Sequence, residues 1–361
     1  MKKPKKLTNI RLPKSSTFRR RSKAPEEKVA EALQNVPRIT NETVAEHREE
    51  VLSSARKYIY PLQHSKNRVV RISIIIISIA IIGFFSYCGL AIYKFQSTSS
   101  FIYGVSQVIP FPIAKVGSSW VSYDSYLFEL RRNIHYYQTQ QGVDFSSKLG
   151  KSQLVVLKQQ AMNQVIQDAI VKQLASEHGV KVTDQQVDQQ IALVKQENRL
   201  GSSDRVLREV LDKYWGWSEN DFRQELKQQL LQQAVVAKLD TKTNAKAESA
   251  LNQLKAGADF ATIAGQYSDD VNTKANGGAY GVDITPDYAN LSPIITNELF
   301  ALKPGQFSGI VNTGYTLEIL KVLDGNSTTV HGAHIQFTFV PITTFTKPII
   351  SKDKPSVFIN L

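Results

Sequence analysis

One apolar run constrains the fold more than any other feature of the chain. From Ile72 to Tyr93 the sequence reads ISIIIISIAIIGFFSYCGLAIY, which is 22 residues without a charge. At a helical rise of about 1.5 Å per residue the run spans roughly 30 Å, the thickness of the hydrocarbon part of a bilayer. A soluble core helix is rarely apolar on all faces over such a length. The run therefore predicts a transmembrane helix over residues 72–93, with Cys88 as a thiol buried in the membrane.

Charge decides the predicted orientation of this helix. Residues 1–71 hold 18 Lys and Arg against 7 Asp and Glu, a net +11 of the formal +12 of the whole chain. Lys66, Arg68 and Arg71 lie just before the apolar run, so the positive-inside rule predicts a cytoplasmic N-terminus and extracytoplasmic C-terminal domains. The run is too long and starts too late for a cleaved signal peptide, whose apolar part has about 7 to 15 residues. We therefore expect an uncleaved signal anchor of a single-pass protein in the cell membrane.

Residues 1–71 are predicted to be a basic, largely disordered cytoplasmic tail, because their first part holds few apolar side chains to bury. Attraction to an anionic lipid leaflet and a merely solvated tail remain alternatives, with RNA contact a weaker one. The other 290 residues carry 26 basic against 25 acidic side chains, which argues against a nucleic-acid enzyme. A single cysteine excludes an intrachain disulfide and a zinc site of several thiolates.

After a linker over residues 94–110, the pattern of residues 111–239 predicts helices. The stretch 152–178 has apolar residues at i, i+3 and i+4 and ends before Gly179, and Thr183 with Gln186 forms a capping box for the next helix. These helices carry no His, Asp or Glu pairs at the spacing of metal ligands, so an enzyme site is not expected there. We predict a packing domain.

Three strings in this part of the chain, VGSSWVSYDSY, LASEHGVKVTDQQVDQQI and WSENDFRQELKQQLL, resemble the N-terminal helical domain of SurA- and PrsA-type foldases. The resemblance covers about residues 114–239. It rests on helix ends and apolar positions, and it implies a chaperone domain.

Residues 247–324 carry a second and more specific resemblance. The strings LKAGADFATIAGQYSDD, GGAYG, ELFALKPGQFSGIV and LEILKV follow one another in the order of the parvulin (PpiC-type) peptidyl-prolyl isomerases. Independently, two short helices, a glycine turn and a strand at 317–322 predict an α+β unit. The predicted class of the chain is therefore α+β. It comprises one transmembrane helix, an all-helical SurA-N-like domain over 111–239, and a parvulin-like domain over 240–340 with a small antiparallel sheet. A loosely ordered tail is expected at 341–361.

The chemistry that this resemblance implies is rotation about Xaa-Pro amides, whose barrier is about 18–20 kcal/mol. No bond is broken, so the family needs an apolar pocket and a few polar groups but no metal or cofactor. Carried over position by position, the resemblance implies four catalytic positions, Asp270, Thr313, Glu318 and His334. It implies a proline pocket lined by Tyr280, Leu291, Ile295 and Phe300. Glu318 departs from the family, which places a histidine on that strand.

His334 enters this set through a displaced strand. The family's first strand, of the type A-x-H-I-L, is missing upstream, where the chain reads VVAKLDTKTNAKA, but VHGAHIQFTFV follows the last strand. Three interpretations remain open. Residues 332–339 supply the first strand of a circularly permuted parvulin domain, or they begin a truncated second repeat, or they form an added edge strand with a surface histidine.

The sequence thus predicts a membrane-anchored extracytoplasmic foldase. It would isomerise prolyl bonds and shelter unfolded, proline-containing exported polypeptides, while residues 72–93 and the basic tail contact lipid. The alternative is a parvulin-fold holdase or envelope interaction protein without catalysis, which Glu318 and the displaced strand favour. A third functional class, a signalling protein, is supported only by the presence of the cytoplasmic tail. Dimerisation through the helical arms is left open.

Overall fold

A computed structural model describes residues 40–59, 62–198, 200 and 203–361, with the backbone alone at 57–59 and 62–67. The basic start of the predicted tail, residues 1–39, lies outside this range. The chain divides into two units, Met1–Ile81 and Ile82–Leu361.

In the first unit, the part of the tail that is described is helical, and the residues with the strongest signal for disorder, 2–23, lie outside the described range. Helix α1 covers Asn41–Ile59, and helix α2 begins at Leu62 and continues to Gly89 in the second unit. The side chains of α1 are mostly exposed, since its sequence is polar over most of its length. By length and composition, the helical stretch Arg68–Lys94 is long and apolar enough to cross a membrane.

The second unit starts with the end of α2. Cys88, which the sequence predicts to be a thiol buried in the membrane, is fully buried by the protein itself, and Ile92, in the π-helical turn Leu90–Lys94, is fully buried as well. The expected linker 94–110 holds helix α3, Ser100–Val108, whose Ile102 is buried. Ala91, Ile92 and Ile102 pack into the core of the domain that follows, so residues 94–110 are not a free linker.

Between residues 111 and 239 the helical domain has five helices beside a small sheet. Its helices are α4 (Tyr123–Gln140), α5 (Lys148–Glu177), α6 (Asp184–Glu197), α7 (Asp204–Trp215) and α8 (Glu219–Leu239). The predicted capping box of Thr183 and Gln186 at the start of α6 is confirmed. The sheet is formed by strands β1 (Pro112–Val116) and β2 (Ser119–Ser122) and by a strand from the C-terminus of the chain.

That third strand corrects the expectation of a loosely ordered tail. Residues 341–361 form helix α12, Thr343–Lys352, and strand β6, Ser356–Val357, which pairs antiparallel with β1. Thr346 of α12 is fully buried, and Ile359 beyond β6 is 5% exposed. The C-terminus is therefore part of the helical domain, because its apolar residues fill the core beside β1.

The parvulin-like domain is built from three helices and an antiparallel sheet. Its elements are α9 (Thr241–Lys255), α10 (Phe260–Tyr267), a 3-10 turn (Lys274–Asn276), α11 (Pro293–Ala301), β3 (Val311–Asn312), β4 (Thr316–Gly325) and β5 (Val330–Thr338). The sheet order is β3-β4-β5. At the outer edge of β5, Tyr280 N donates to Gly332 O at 3.0 Å, and Ile284 bridges to Val330. β5 therefore has β4 on one side and the segment 279–284 on the other.

Candidate functional site

Three charged side chains meet at the centre of the parvulin-like sheet. His334 of β5 lies between Asp270 and Glu318, with 2.9 Å from Nε2 to Asp270 Oδ2 and 2.9 Å from Nδ1 to Glu318 Oε2. His334 is 5% exposed and Glu318 is 2% exposed. We call these three residues together with Thr273 the His334 cluster. Thr273 Oγ1 lies 2.9 Å from His334 Nε2.

Local hydrogen bonds explain why Asp270 points to His334. Its carboxylate accepts from Asn272 N at 3.0 Å and from Thr273 Oγ1 at 2.6 Å, which fixes the turn after α10. Ser268 Oγ accepts from Asp270 N at 3.3 Å and from Gln336 N at 3.1 Å, so the same turn is bound to β5. The Asp270 carboxylate is therefore held in its own turn, and the turn is held against β5.

Glu318 is held from the other direction, through β4. Thr316 Oγ1 donates to Glu318 Oε1 at 2.8 Å, and Thr313 Oγ1 lies 2.7 Å from Thr316 Oγ1. Of the four positions that the resemblance implies to be catalytic, the structure brings Asp270, Glu318 and His334 into direct contact. Thr313 is connected to His334 through Thr316 and Glu318 and makes no hydrogen bond to the imidazole itself within the described residues.

The electrostatics of the His334 cluster favour an imidazolium. Burial alone would lower the pKa of His334, but the hydrogen bonds and charges of Glu318 and Asp270 raise it above its ordinary value. Burial alone would raise the pKa of Asp270, but hydrogen bonds from Thr273 and Asn272 and the neighbouring His334 lower it. A protonated His334 donates from both ring nitrogens, which satisfies the two carboxylates at once.

Tyr280 covers one face of the imidazole. The two rings stack with centroids 4.5 Å apart and planes 28° apart. Burial raises the pKa of the Tyr280 hydroxyl, and the charges of Glu318 and Asp270 raise it further, so this group stays protonated. Its oxygen is buried and has no hydrogen-bond partner among the described residues. A buried donor without an acceptor is unusual in a folded protein.

The four residues predicted to line a proline pocket do lie together. Tyr280, Leu291 and Phe300 pack against a small apolar cluster that contains Ile295, Leu299 and Leu320. Ile295 is only 9% exposed and thus belongs to the core of the domain. A cavity of about 710 Å³ opens nearby between α10 and the 3-10 turn, and it contains none of the four predicted residues. Its lining is Ala261, Thr262, Gly265, Val271, Lys274, Ala275 and Gly277.

The sequence did not single out Thr273, although its spacing of three residues from Asp270 is the signal of a side-chain turn. It also missed a group of carboxylates in the helical domain. Glu129 of α4, Asp168 of α5 and Glu225 of α8 line a cavity of about 410 Å³. Burial raises the pKa of Glu129 to about 7 and that of Asp168 to about 6. No spacing rule reveals this group, because its members come from three separate helices.

Within the described residues, no group of three or more His, Cys, Asp or Glu side chains is arranged to hold a metal ion.

Comparison with known families agrees with this architecture. A family model described as "SurA-like N-terminal domain" matches residues 62–236, and one described as "PPIC-type PPIASE domain" matches residues 229–324. The second match ends before β5, so the strand that carries His334 lies outside it.

Three relatives cover parts of the same region. A parvulin-like PPIase of Rickettsia bellii is 38% identical over 26% of this chain and 33% of its own length. A chaperone SurA of Methylobacillus flagellatus is 25% identical over 47% and 48%, and a foldase protein PrsA of Caldanaerobacter subterraneus is 28% identical over 48% and 58%. The chain thus spans between a third and about three fifths of these relatives. A match to a SurA-like N-terminal domain is thus followed by a match to a PPIC-type peptidyl-prolyl isomerase domain, and in these two parts the chain is similar to SurA- and PrsA-type parvulin foldases.

Proposed function

We propose that this protein is a membrane-anchored foldase that binds unfolded exported polypeptides outside the cytoplasm and isomerises their Xaa-Pro bonds. One observation supports the catalytic part of the proposal above all others. Within the region that matches or adjoins the PPIC-type domain, an imidazole is buried between two carboxylates and stacks on a tyrosine ring whose hydroxyl has no acceptor in the described part of the chain. The displaced strand β5, in this proposal, supplies the first strand of a permuted parvulin domain.

Isomerisation requires the amide to lose its double-bond character, and the proline nitrogen then regains its lone pair. A hydrogen-bond donor in a water-poor site stabilises such a twisted amide more than the planar one. We assign this role to the Tyr280 hydroxyl, which has no acceptor among the described residues, whereas Thr273 Oγ1 already donates to Asp270. His334 and its two carboxylates hold the Tyr280 ring in place, and the apolar cluster behind it offers a surface for the proline ring.

The placement outside the cytoplasm rests on the apolar helix and on the charge before it. Residues Arg68–Lys94 meet the length and composition of a membrane span, and Lys66, Arg68 and Arg71 precede the apolar run. Relatives named as chaperone SurA and foldase protein PrsA support unfolded polypeptides as the substrate class.

A prolyl-peptide isomerisation assay on the full chain in detergent micelles tests the catalytic proposal. We expect His334→Ala and Tyr280→Phe to slow the reaction by about tenfold or more, since positioned donors and their supports contribute at this scale. His331→Ala is the matched control. This second histidine of β5 is exposed and bonds Asp283 and Asp324 away from the cluster, so the rate should not change. If His334→Ala and Tyr280→Phe retain the full rate, the site assignment is wrong.

A holdase without catalysis is the second candidate. Two observations favour it. Ile295 is buried in the core, and the side chains of Asp270 and Glu318 already form hydrogen bonds with His334. The same preparation separates the two functions. A wild-type rate equal to that in buffer, with aggregation of an unfolded client still suppressed, selects the holdase.

A further inference from the structure

The membrane helix enters the core of the helical domain before its apolar run is finished. The run continues to Tyr93, but Cys88 and Ile92 are fully buried by the protein and Ala91 is 6% exposed. The part free to contact lipid on all sides is therefore 72–87, which is about 24 Å at a rise of about 1.5 Å per residue. This is shorter by roughly 6 Å than the hydrocarbon thickness of about 30 Å.

Exposed apolar side chains continue from the end of the helix into the domain. Six of them are between 47 and 81% exposed: Phe85, Tyr87, Leu90, Phe95, Phe101 and Val108. The rings of Tyr87 and Phe101 are in contact, with centroids 6.3 Å apart, which joins the end of α2 to α3. Phe101 and Val108 are seven residues apart, so they lie on the same outward side of α3. From Ile72 to Ala114 the sequence holds one charge, that of Lys94.

The connection between the helix and the domain is also firmly held. Tyr93 Oη donates to Pro112 O at 2.8 Å, which ties the last helical turn to β1. Three further side chains of the domain bind the segment that follows: Lys158 to Gln96 Oε1 at 2.5 Å, Tyr123 to Ser97 O at 3.2 Å and Arg131 to Thr98 O at 2.8 Å. These contacts leave no free linker between the helix end and the domain.

We infer that the helical domain lies directly on the bilayer, with Phe95 and the outward side of α3 inserted at the boundary between acyl chains and headgroups. This inference rests on the proposed membrane anchoring. The occupant of the surface is lipid, because the exposed apolar residues continue from the membrane helix and because the free part of that helix is too short by itself. The foldase would then receive its substrates close to the membrane surface.

Site-directed spin labelling of the full chain in lipid vesicles tests the inference, in a Cys88→Ala background that leaves no native thiol. Labels are placed at Val108, at Ile79 within the span and at Val271 in the parvulin-like domain. Val108 and Val271 are matched, since both are valines that are 81% exposed. The measurement compares collision of the label with oxygen, which concentrates in lipid, and with a water-soluble nickel chelate.

We expect the ratio of oxygen to chelate collision to be severalfold higher at Val108 than at Val271, and highest at Ile79. A lipid-like ratio at Ile79 with a ratio at Val108 equal to that at Val271 overturns the inference and leaves the anchoring intact. A label at Val108 that is shielded from both reagents indicates a protein partner or a second copy, and it also overturns the inference. A water-like ratio at Ile79 refutes the anchoring itself, and the inference with it.

Discussion

The buried carboxyl of Glu129 makes the stability of the helical domain depend on pH in a calculable way. Glu129 is 4% exposed, and burial raises its pKa from 4.5 to about 7 even though Arg132 binds it at 2.5 Å. The nearby charges of Glu225 and Asp168 act in the same direction as burial. The folded state therefore holds a proton on Glu129 at a pH where the unfolded chain has released it.

The sign follows from proton linkage. Between pH 4.5 and about 7 the folded state binds more protons than the unfolded state, so the free energy of unfolding falls as the pH rises through this window. At about 1.36 kcal/mol per pKa unit, a shift from 4.5 to about 7 corresponds to about 3 kcal/mol. Glutamine has the shape of the protonated carboxyl and does not ionise. We expect Glu129→Gln to match the wild type near pH 4.5 and to exceed its stability by about 3 kcal/mol near pH 8.

Urea unfolding followed by tryptophan fluorescence measures this difference. Trp217 stacks on Phe128 with centroids 5.4 Å apart and lies beneath Arg132, so its emission reports on this part of the domain. Asp168→Asn should also gain stability relative to the wild type as the pH rises, and the gain should develop between pH 3.8 and about 6. A difference between Glu129→Gln and wild type that stays constant from pH 4.5 to 8 would refute the reasoning.

Three further predictions concern the His334 cluster, the glycine turn and the C-terminus. Glu318→Gln should lower the pKa of His334 in an NMR titration, because it removes a charge that holds the imidazolium; an unchanged titration would contradict this. In the wild type this pair contributes stability below the ordinary histidine pKa of 6.5, and the contribution is lost as the pH rises through the raised value. Gly278→Ala should destabilise the domain far more than Gly281→Ala, although both have positive φ, because a Cβ at 278 meets His334 O at 2.2 Å and one at 281 meets nothing within 4 Å. Equal decreases in melting temperature for the two variants would show that the short distance from a Cβ at 278 to His334 O does not determine the loss of stability. Ile359→Ala should cost the helical domain about 2–5 kcal/mol by tryptophan-detected unfolding, the usual cost of truncating a buried isoleucine; a loss near zero would mean that the C-terminus is dispensable.

Motifs in the sequence predicted part of the candidate site in the parvulin-like domain. The resemblance to parvulins implies a histidine on a displaced strand and an acid after α10, and the structure places Asp270, Glu318 and His334 in contact. Their catalytic role stays a prediction. Thr273 was missed because a threonine in a turn has many uses, and only the position of β5 brings its hydroxyl to the imidazole.

The sequence by itself determined the features that depend on neighbours along the chain, because periodicity and caps act over a few residues. These features are the apolar helix, the capping box at Thr183, the glycine turn and the α+β class. The tertiary structure decided which of these surfaces meet. It buried Cys88 and Ile92 inside the domain, closed the first sheet with β6, and gathered three carboxylates from separate helices into one cavity. Such outcomes depend on contacts between residues far apart in the chain, and burial is a property of those contacts rather than of the residue alone.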